Sequence, residues 1–169
     1  MFGLPTWLIV SIGLVFNISS ALVTHFIIEG KDEQVNLLSM QENRNKKEMD
    51  LLWLQIEGIE RKRETLYLLL NQGAINQELA AAFSKLLESH LQQEVSYSFL
   101  QDIEKVDSSI NNYQDSIREK INHKFFLNLE LSELEMELKK EISSLRNWSI
   151  FLQMIGLSLI LARDLNRRI

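Results

Sequence analysis

The feature that most constrains this chain is an uncharged apolar stretch near its amino terminus. Residues 2–28 read FGLPTWLIVSIGLVFNISSALVTHFII and hold no Asp, Glu, Lys or Arg over about 27 residues. A helix of that length is about 40 Å long, which exceeds the roughly 30 Å hydrocarbon core of a bilayer. A cleaved signal peptide is the alternative, but no basic residue precedes the apolar part. We predict a retained transmembrane helix over residues 1–29.

A second apolar stretch runs from Trp148 to Ala162, and arginines follow it. It spans about 15 residues, or roughly 22 Å of helix, which is short for a complete crossing. The long side chains of Arg146 and Arg163 could reach opposite interfaces and extend the span. Two interpretations stay open: a short crossing, or a helix that lies on or re-enters one face. We assign residues 148–169 as a short membrane helix with a basic tail that attracts anionic lipid head groups.

The distribution of positive charge predicts an orientation in the membrane. No Lys or Arg precedes the first apolar stretch, whereas four follow it closely: Lys31, Arg44, Lys46 and Lys47. Loops rich in Lys and Arg stay on the cytoplasmic side. We therefore expect an integral protein of the cell membrane, with its amino terminus outside and residues 30–147 in the cytoplasm.

The region between the apolar stretches has the composition and periodicity of long helices. No Gly or Pro occurs from Ala74 to Ile155, and straight-chain helix formers dominate. Apolar residues recur at alternating spacings of three and four from Val35 to Leu70 and again from Ile110 to Trp148. This heptad pattern with polar interruptions is typical of coiled coils. The second seam includes, in its later half, Leu127, Leu131, Leu134, Leu138, Leu145 and Trp148.

The lengths of these two seams predict a fold. Residues 31–71 and 108–147 would each form about 60 Å of helix. A chain that leaves the membrane and returns to it needs an even number of passes, which two matched arms provide. We predict an all-α protein with an N-terminal transmembrane helix, a long antiparallel coiled-coil stalk, a distal helical cap at residues 76–106 and a short C-terminal membrane helix. Breaks are expected near Glu94–Ser98 and at Asp107–Ser109.

Each apolar stretch also carries a stripe of small and polar side chains at helical spacing. The stripes comprise Gly13, Asn17, Ser20 and Thr24 in the first stretch and Ser149, Gln153 and Gly156 in the second. An amide that faces hydrocarbon is unfavourable, so we expect Asn17 and Gln153 to contact protein or water. The stripes indicate either helix packing or a water-filled pore lined by repeated copies.

Chemistry-bearing motifs are sparse. Arg118 and His123 match the R-x4-H spacing and in this resemble the HEPN ribonucleases, in which Arg and His act on a scissile phosphate. The resemblance is confined to these two residues, and such a match arises readily by chance. The chain has three histidines and no cysteine, and no third ligand accompanies His90 and Glu94. We predict no metal, no cofactor and, given the net charge of -5, no nucleic acid partner.

The function predicted from these features is non-enzymatic. We expect a self-associating membrane protein, a homo-oligomer because two exposed seams are hard to satisfy within one chain. Within that class, a pore-forming or membrane-perturbing effector competes with a scaffold whose cap binds a protein partner. The alternative is a membrane-anchored HEPN-like nuclease that uses Arg118 and His123. The two-anchor architecture resembles that of some bacterial antiviral effectors, which is an analogy of shape alone.

Overall fold

The chain is almost entirely helical in the computed structural model, which describes residues 5–73, 76–91 and 93–166. Of these residues, 94% are helical and none lies in a strand. The predicted all-α fold is thus confirmed. The cause is local, because the middle of the chain offers long runs of Leu, Glu, Gln and Lys without the residues that end helices.

Five α-helices and one π-helical stretch follow one another in the described residues: α1 (Thr6–Leu22), the π-helical stretch (Val23–Ile28), α2 (Glu29–Asn71), α3 (Gln77–Leu91), α4 (Tyr97–Gln101) and α5 (Ile103–Asn166). Helix α1 continues through the π-helical stretch into α2, and α5 alone is 64 residues long. A π-helical turn contains an extra residue and so changes which side chains face a neighbouring helix.

Two helical stretches of the described residues are long and apolar enough to cross a membrane, Trp7–Asn71 and Ile103–Ala162. In each, only 11% of the most apolar window is buried. A central helix of a globular protein would instead be covered on most sides. Each predicted membrane segment is therefore one end of a long helix. Residues 1–4 and 167–169, which belong to the predicted segments, lie outside the described residues.

The described residues form two compact units. The terminal unit comprises the described residues up to Glu42 and those from Leu129 onward, and the central unit is Asn43–Asn128. Helices α2 and α5 contribute residues to both. The sequence instead predicts domain boundaries at residues 29 and 147, where the membrane segments are expected to end. Those boundaries stay a prediction.

The core of the central unit is built by α2, α3, α4 and α5. Leu66 of α2, Leu87 of α3 and Ile110 of α5 are fully buried in one apolar cluster. A smaller cluster joins Ile56 of α2 to Ile117 of α5. Burying several such side chains contributes about 1.5–3 kcal/mol each to folding. The short helices α3 and α4 are thus held by the same core that joins the long ones.

Within the central unit, α2 and α5 run in opposite directions. Asn45 contacts Asn128 near the beginning of this part of α2, and Tyr67 contacts Asp107 near the end of α2. Later residues of α2 therefore meet earlier residues of α5. In the central unit, the apolar seam predicted for α2 contacts the seam predicted for α5 of the same chain. A second copy is therefore not needed to cover these seams.

The connection after α2 matches the signals in the sequence. Helix α2 ends at Asn71, and Gly73 has φ of 124°, a conformation that side chains with a Cβ rarely adopt. The Asn76 side chain accepts a hydrogen bond from the backbone N–H of Leu79 at 2.7 Å and so caps α3. The break expected near residue 94 occurs, whereas the break expected at Asp107–Ser109 was wrong because α5 is continuous there.

The predicted seam of α5 was partly correct over its second half. Leu138 and Leu145 pack against the apolar cluster of the terminal unit, as the seam predicted. Leu127, Leu134 and Trp148 are instead exposed by 37%, 46% and 63%. Buried positions lie one residue after members of the predicted seam and include Asn128, Ile142 and Ser149. Hydrophobicity therefore placed about half of this seam one residue away from the contact, because leucines and a tryptophan occupy the exposed side.

The buried amide pair Asn45–Asn128 gives the first prediction. Asn45 Nδ2 donates to Asn128 Oδ1 at 2.8 Å, and the two residues are only 8% and 7% exposed. Asn45→Leu should lower the free energy of unfolding by about 1–3 kcal/mol, since the buried side-chain oxygen of Asn128 loses the hydrogen bond from Asn45 Nδ2. The double variant Asn45→Leu/Asn128→Leu should recover part of that loss. Urea unfolding in mild detergent measures both changes.

The exposed Asn43 provides the control for this experiment. Asn43→Leu makes the same chemical change on the surface of the same helix, and its effect should stay within about 0.5 kcal/mol. Equal effects of Asn43→Leu and Asn45→Leu would contradict the importance of the buried pair.

Candidate functional site

Two helices of the terminal unit pack closely at Gly13 of α1 and Gly156 of α5. A methyl group added to Gly13 would lie 2.7 Å from the Gly156 carbonyl oxygen, and one added to Gly156 would lie 2.6 Å from the Gly13 carbonyl oxygen. Neither helix backbone can retreat without losing the contact. Small residues permit this backbone-to-backbone packing, which is typical of helix pairs in membranes.

About two helical turns further along α1, hydroxyl groups join the same two helices. Ser20 Oγ lies 2.8 Å from the Ser149 carbonyl oxygen and 2.7 Å from Ser149 Oγ. Thr24 Oγ1 lies 2.8 Å from Ser149 Oγ, and Ser149 Oγ also lies 3.0 Å from the Ser20 carbonyl oxygen. Ser20 and Ser149 are each 4% exposed. The cluster satisfies its hydroxyls internally and requires neither water nor lipid as a partner.

The two amides of the apolar stretches differ in their surroundings. Asn17 Nδ2 donates to the Gly13 carbonyl oxygen at 3.0 Å, and its side chain packs on Gly156. Gln153 is exposed and has no hydrogen-bond partner among the described residues. The structure thus brings six of the seven predicted stripe residues together and leaves Gln153 on a different face of α5. Spacing of three or four residues was too coarse to separate the two faces.

Ion pairs between the two long helices follow the Gly13–Gly156 contact on the side of residues 31–146. Lys31 Nζ is 2.6 Å from Glu141 Oε2, and Arg146 is 3.6 Å from Asp32. Exposed pairs of this kind contribute at most about 1 kcal/mol. These ion pairs mark where the apolar surface ends, because charged side chains need water or lipid head groups around them.

The central unit contains a partly buried polar network between α2 and α5. Gln114 Nε2 donates to Glu60 Oε2 at 2.8 Å, and Arg63 contacts both Glu60 and Asp107. Burial opposes the ionisation of Glu60, but the hydrogen bonds from Gln114 and Arg63 outweigh it and lower the pKa of Glu60. These paired groups stabilise the register of the two helices.

Tyr67 in this network gives a pH-dependent prediction. Burial, together with the hydrogen bond that its hydroxyl donates to Asp107, raises the pKa of Tyr67 to about 12. The unfolded value is about 10. A raised folded pKa means that the stabilisation is complete below about pH 10 and is lost as the pH rises through about 12. In Tyr67→Phe, the free energy of unfolding, measured with urea, should therefore fall less steeply between about pH 10 and pH 12. Tyr97→Phe, at an exposed site, should not change this slope.

Arg118 and His123 both lie on α5, and in the described part of the chain they are not hydrogen-bonded to each other. Five residues along an α-helix correspond to a rotation of about 140°, so the two side chains leave α5 in different directions. Arg118 donates to Asp115 at 2.7 Å and to Gln114 at 3.3 Å. His123 is exposed. A guanidinium that is already paired with a carboxylate is poorly placed to stabilise a developing phosphorane charge.

The remaining histidines lack the surroundings of a metal site. His90 lies about 3.0 Å from Lys62 Nζ, and Glu94 is outside any helix, so the expected helical pairing of His90 with Glu94 is absent. Burial lowers the pKa of Lys62. His25 pairs with Glu29 at 2.8 Å on an exposed surface. Among the described residues, no group of three His, Asp or Glu side chains could hold a metal ion.

No family model matches the chain, and no curated protein or solved structure is significantly similar to it. Its class therefore follows from its own residues. This is an all-helical chain with two stretches able to cross a membrane, one at each end, and a tightly packed contact between them. The contact between α1 and α5 is the candidate functional site.

Proposed function

We propose that this chain is an integral membrane protein that acts without catalysis as a self-associating scaffold. The observation that carries the membrane part of this proposal is the pairing, within one chain, of Gly13 with Gly156 and of Ser20 with Ser149. If α1 crosses the bilayer, these contacts put residues 149–156 at the same depth as residues 13–20. That favours a crossing by the second segment over a helix lying on the surface.

An ion pair also bears on the length of the second segment. Arg146, which pairs with Asp32, bounds the apolar part of α5, and from Trp148 to Ala162 this part is about 22 Å long. The long side chain of Arg146 can reach the interface and extend the span toward the roughly 30 Å hydrocarbon core. The orientation follows the positive charges: residues 30–147 cytoplasmic and the amino terminus outside. The region 76–106, including α3 and α4, would then form the cap of a cytoplasmic stalk and present a surface to a protein partner.

Self-association is supported by apolar side chains on the surface of the central unit. Six large apolar side chains are exposed by 52–66%: Leu51, Trp53, Leu54, Leu68, Phe125 and Phe126. Leu51 and Leu54 are three residues apart, and Leu68 follows Leu54 by two heptads, so they share a stripe of α2. Leu51 and Leu54 are neighbours on this stripe, and an exposed apolar patch of this kind is typical of protein or membrane contacts. In a water-facing stalk, a second copy is the partner that covers it.

The proposal is tested by the mass of the detergent-solubilised particle. We expect a multiple of the 19.7 kDa chain, measured by light scattering with the detergent subtracted. Leu51→Glu/Leu54→Glu should lower the mass, because charges on an apolar contact surface are unfavourable when buried. Gln55→Glu on the same helix is the control for added charge. A wild-type monomer that is helical and unfolds cooperatively would overturn self-association.

A pore-forming or membrane-perturbing effector is the second candidate, and the exposed amide of Gln153 favours it. Against it, the hydroxyls of Ser20, Thr24 and Ser149 pair with one another and do not face outward. A lumen needs several polar side chains on one face. Purified protein in liposomes decides between the two candidates: ion leakage under activating conditions that Gln153→Leu abolishes would favour the pore.

The enzyme alternative, a HEPN-like nuclease, makes a separate prediction. Arg118→Ala/His123→Ala should leave any cellular phenotype unchanged, because Arg118 is engaged by Asp115 and the two side chains diverge. The comparison requires equal expression and equal particle mass for wild type and variant. Loss of the phenotype under those conditions would support catalysis by these residues, brought together between two copies.

A further inference from the structure

The polar side chains of the two apolar stretches can be followed one by one to their hydrogen-bond partners. Ser11 and Ser158 are exposed, but each hydroxyl donates to a carbonyl oxygen of its own helix, at 2.9 Å and 2.8 Å. Asn17 and the hydroxyl cluster are satisfied as described above. Gln153 alone among the described amides of these stretches has no partner. A primary amide cannot satisfy both its donors and its acceptor within its own helix.

The neighbours of Gln153 on α5 define a face of the helix. Ile150 and Leu157 lie three residues before it and four after it, and each is 49% exposed. This is the spacing of a heptad seam with one polar member. We call the surface made by Ile150, Gln153 and Leu157 the Gln153 face. It differs from the surface of α5 that contacts α1, which is formed by Ser149 and Gly156.

We propose that the Gln153 face binds the same face of a second copy of this chain within the membrane. The proposal rests on the membrane insertion and self-association proposed above, and it names the surface that the copies share. Copies inserted by one mechanism have the same orientation, so Gln153 of one lies at the same depth as Gln153 of another. An amide both donates and accepts, and two identical amides across a two-fold axis satisfy each other.

The composition of the face argues for this occupant over lipid or water. Acyl chains offer no hydrogen bond, so an amide turned toward them stays unsatisfied. Water in a lumen would satisfy the amide, but it would then also contact Ile150 and Leu157, which are apolar. A second α5 helix suits all three residues, because the Ile150 and Leu157 side chains pack on their counterparts while the two Gln153 amides pair.

Cysteine cross-linking in phospholipid vesicles tests the contact, since the chain contains no cysteine of its own. Full-length Gln153→Cys should form a disulfide-linked dimer on mild oxidation, because symmetric seam positions approach within the reach of a disulfide. Ser158→Cys is the matched control. It is exposed on the same apolar segment but lies about 140° around the helix from position 153. Equal dimer yields at both positions, or no dimer at 153, would overturn the proposal.

A second measurement tests the role of the amide itself. Ile150→Cys should cross-link efficiently beside a native Gln153, and adding Gln153→Leu should weaken association about 5- to 30-fold. Ser158→Leu in the same background should not. Unchanged cross-linking at 150 with loss of ion leakage would instead assign Gln153 to a lumen and overturn the amide contact. A particle heavier than a monomer without a cross-link at 153 also overturns it, while leaving self-association intact. A monomer would overturn both.

Discussion

Replacing Gly156 with leucine is expected to separate the two membrane segments of the chain. Even the first carbon of a new side chain would lie 2.6 Å from both the Gly13 carbonyl oxygen and the Asn17 amide nitrogen. The first atom is backbone, and the second is the end of a side chain that a hydrogen bond to the Gly13 carbonyl oxygen holds in place. Overpacking of a core costs about 1–3 kcal/mol, and here the whole contact between two rigid helices must open.

The separation can be measured through the hydroxyl cluster. In a Ser20→Cys/Ser149→Cys chain the two thiols would replace hydroxyl oxygens that are 2.7 Å apart, so oxidation should give an internal disulfide in high yield. Gly156→Leu should reduce that yield at least tenfold, which corresponds to about 1.4 kcal/mol or more. Gly30→Leu is the control, because nothing lies within 4 Å of a side chain added there. An unchanged yield in the Gly156→Leu chain would contradict the close packing.

The second large effect is expected in the core of the central unit. Leu87 of α3 is fully buried and packs in the cluster that also contains Leu66 and Ile110. Leu87→Ala removes this contact and leaves a cavity, so the free energy of unfolding should fall by about 2–5 kcal/mol. Because α3 is only 15 residues long, it is not stable by itself in water and should lose protection from hydrogen exchange.

The neighbouring Leu86 makes this experiment specific. It is 50% exposed, so Leu86→Ala removes the same atoms from the same helix with a much smaller effect, about 1 kcal/mol or less. Unfolding by urea and hydrogen exchange of α3 should both distinguish the two variants. If both variants were equally mild, α3 would not be held by the core. If a partner binds the cap, Leu87→Ala should also weaken that binding, whereas Leu86→Ala should do so only if Leu86 itself touches the partner.

Much of the architecture could be predicted because its causes are local. The absence of charge in residues 7–24 predicts a helix suited to a bilayer, and the absence of Gly and Pro after Ala74 predicts long helices. Gly73 and Asn76 act through their own backbone and side-chain geometry, so the end of α2 and the start of α3 could be read directly. None of these features depends on what lies far away in the sequence.

The tertiary structure decided which face of each helix is covered. In α5 the covered positions include Asn128, Ser149 and Gly156, whose small or polar side chains carry no hydrophobic signal. They are covered because the opposing helix presents Asn45, Ser20 and Gly13 at matching heights, and a match between two distant segments is invisible in either one alone. For the same reason Gln153, assigned by spacing to the covered stripe, lies outside it. A shift of one residue turns a side chain by about 100°, so composition and periodicity determined that these helices form, while the complementarity of their surfaces determined how they pair.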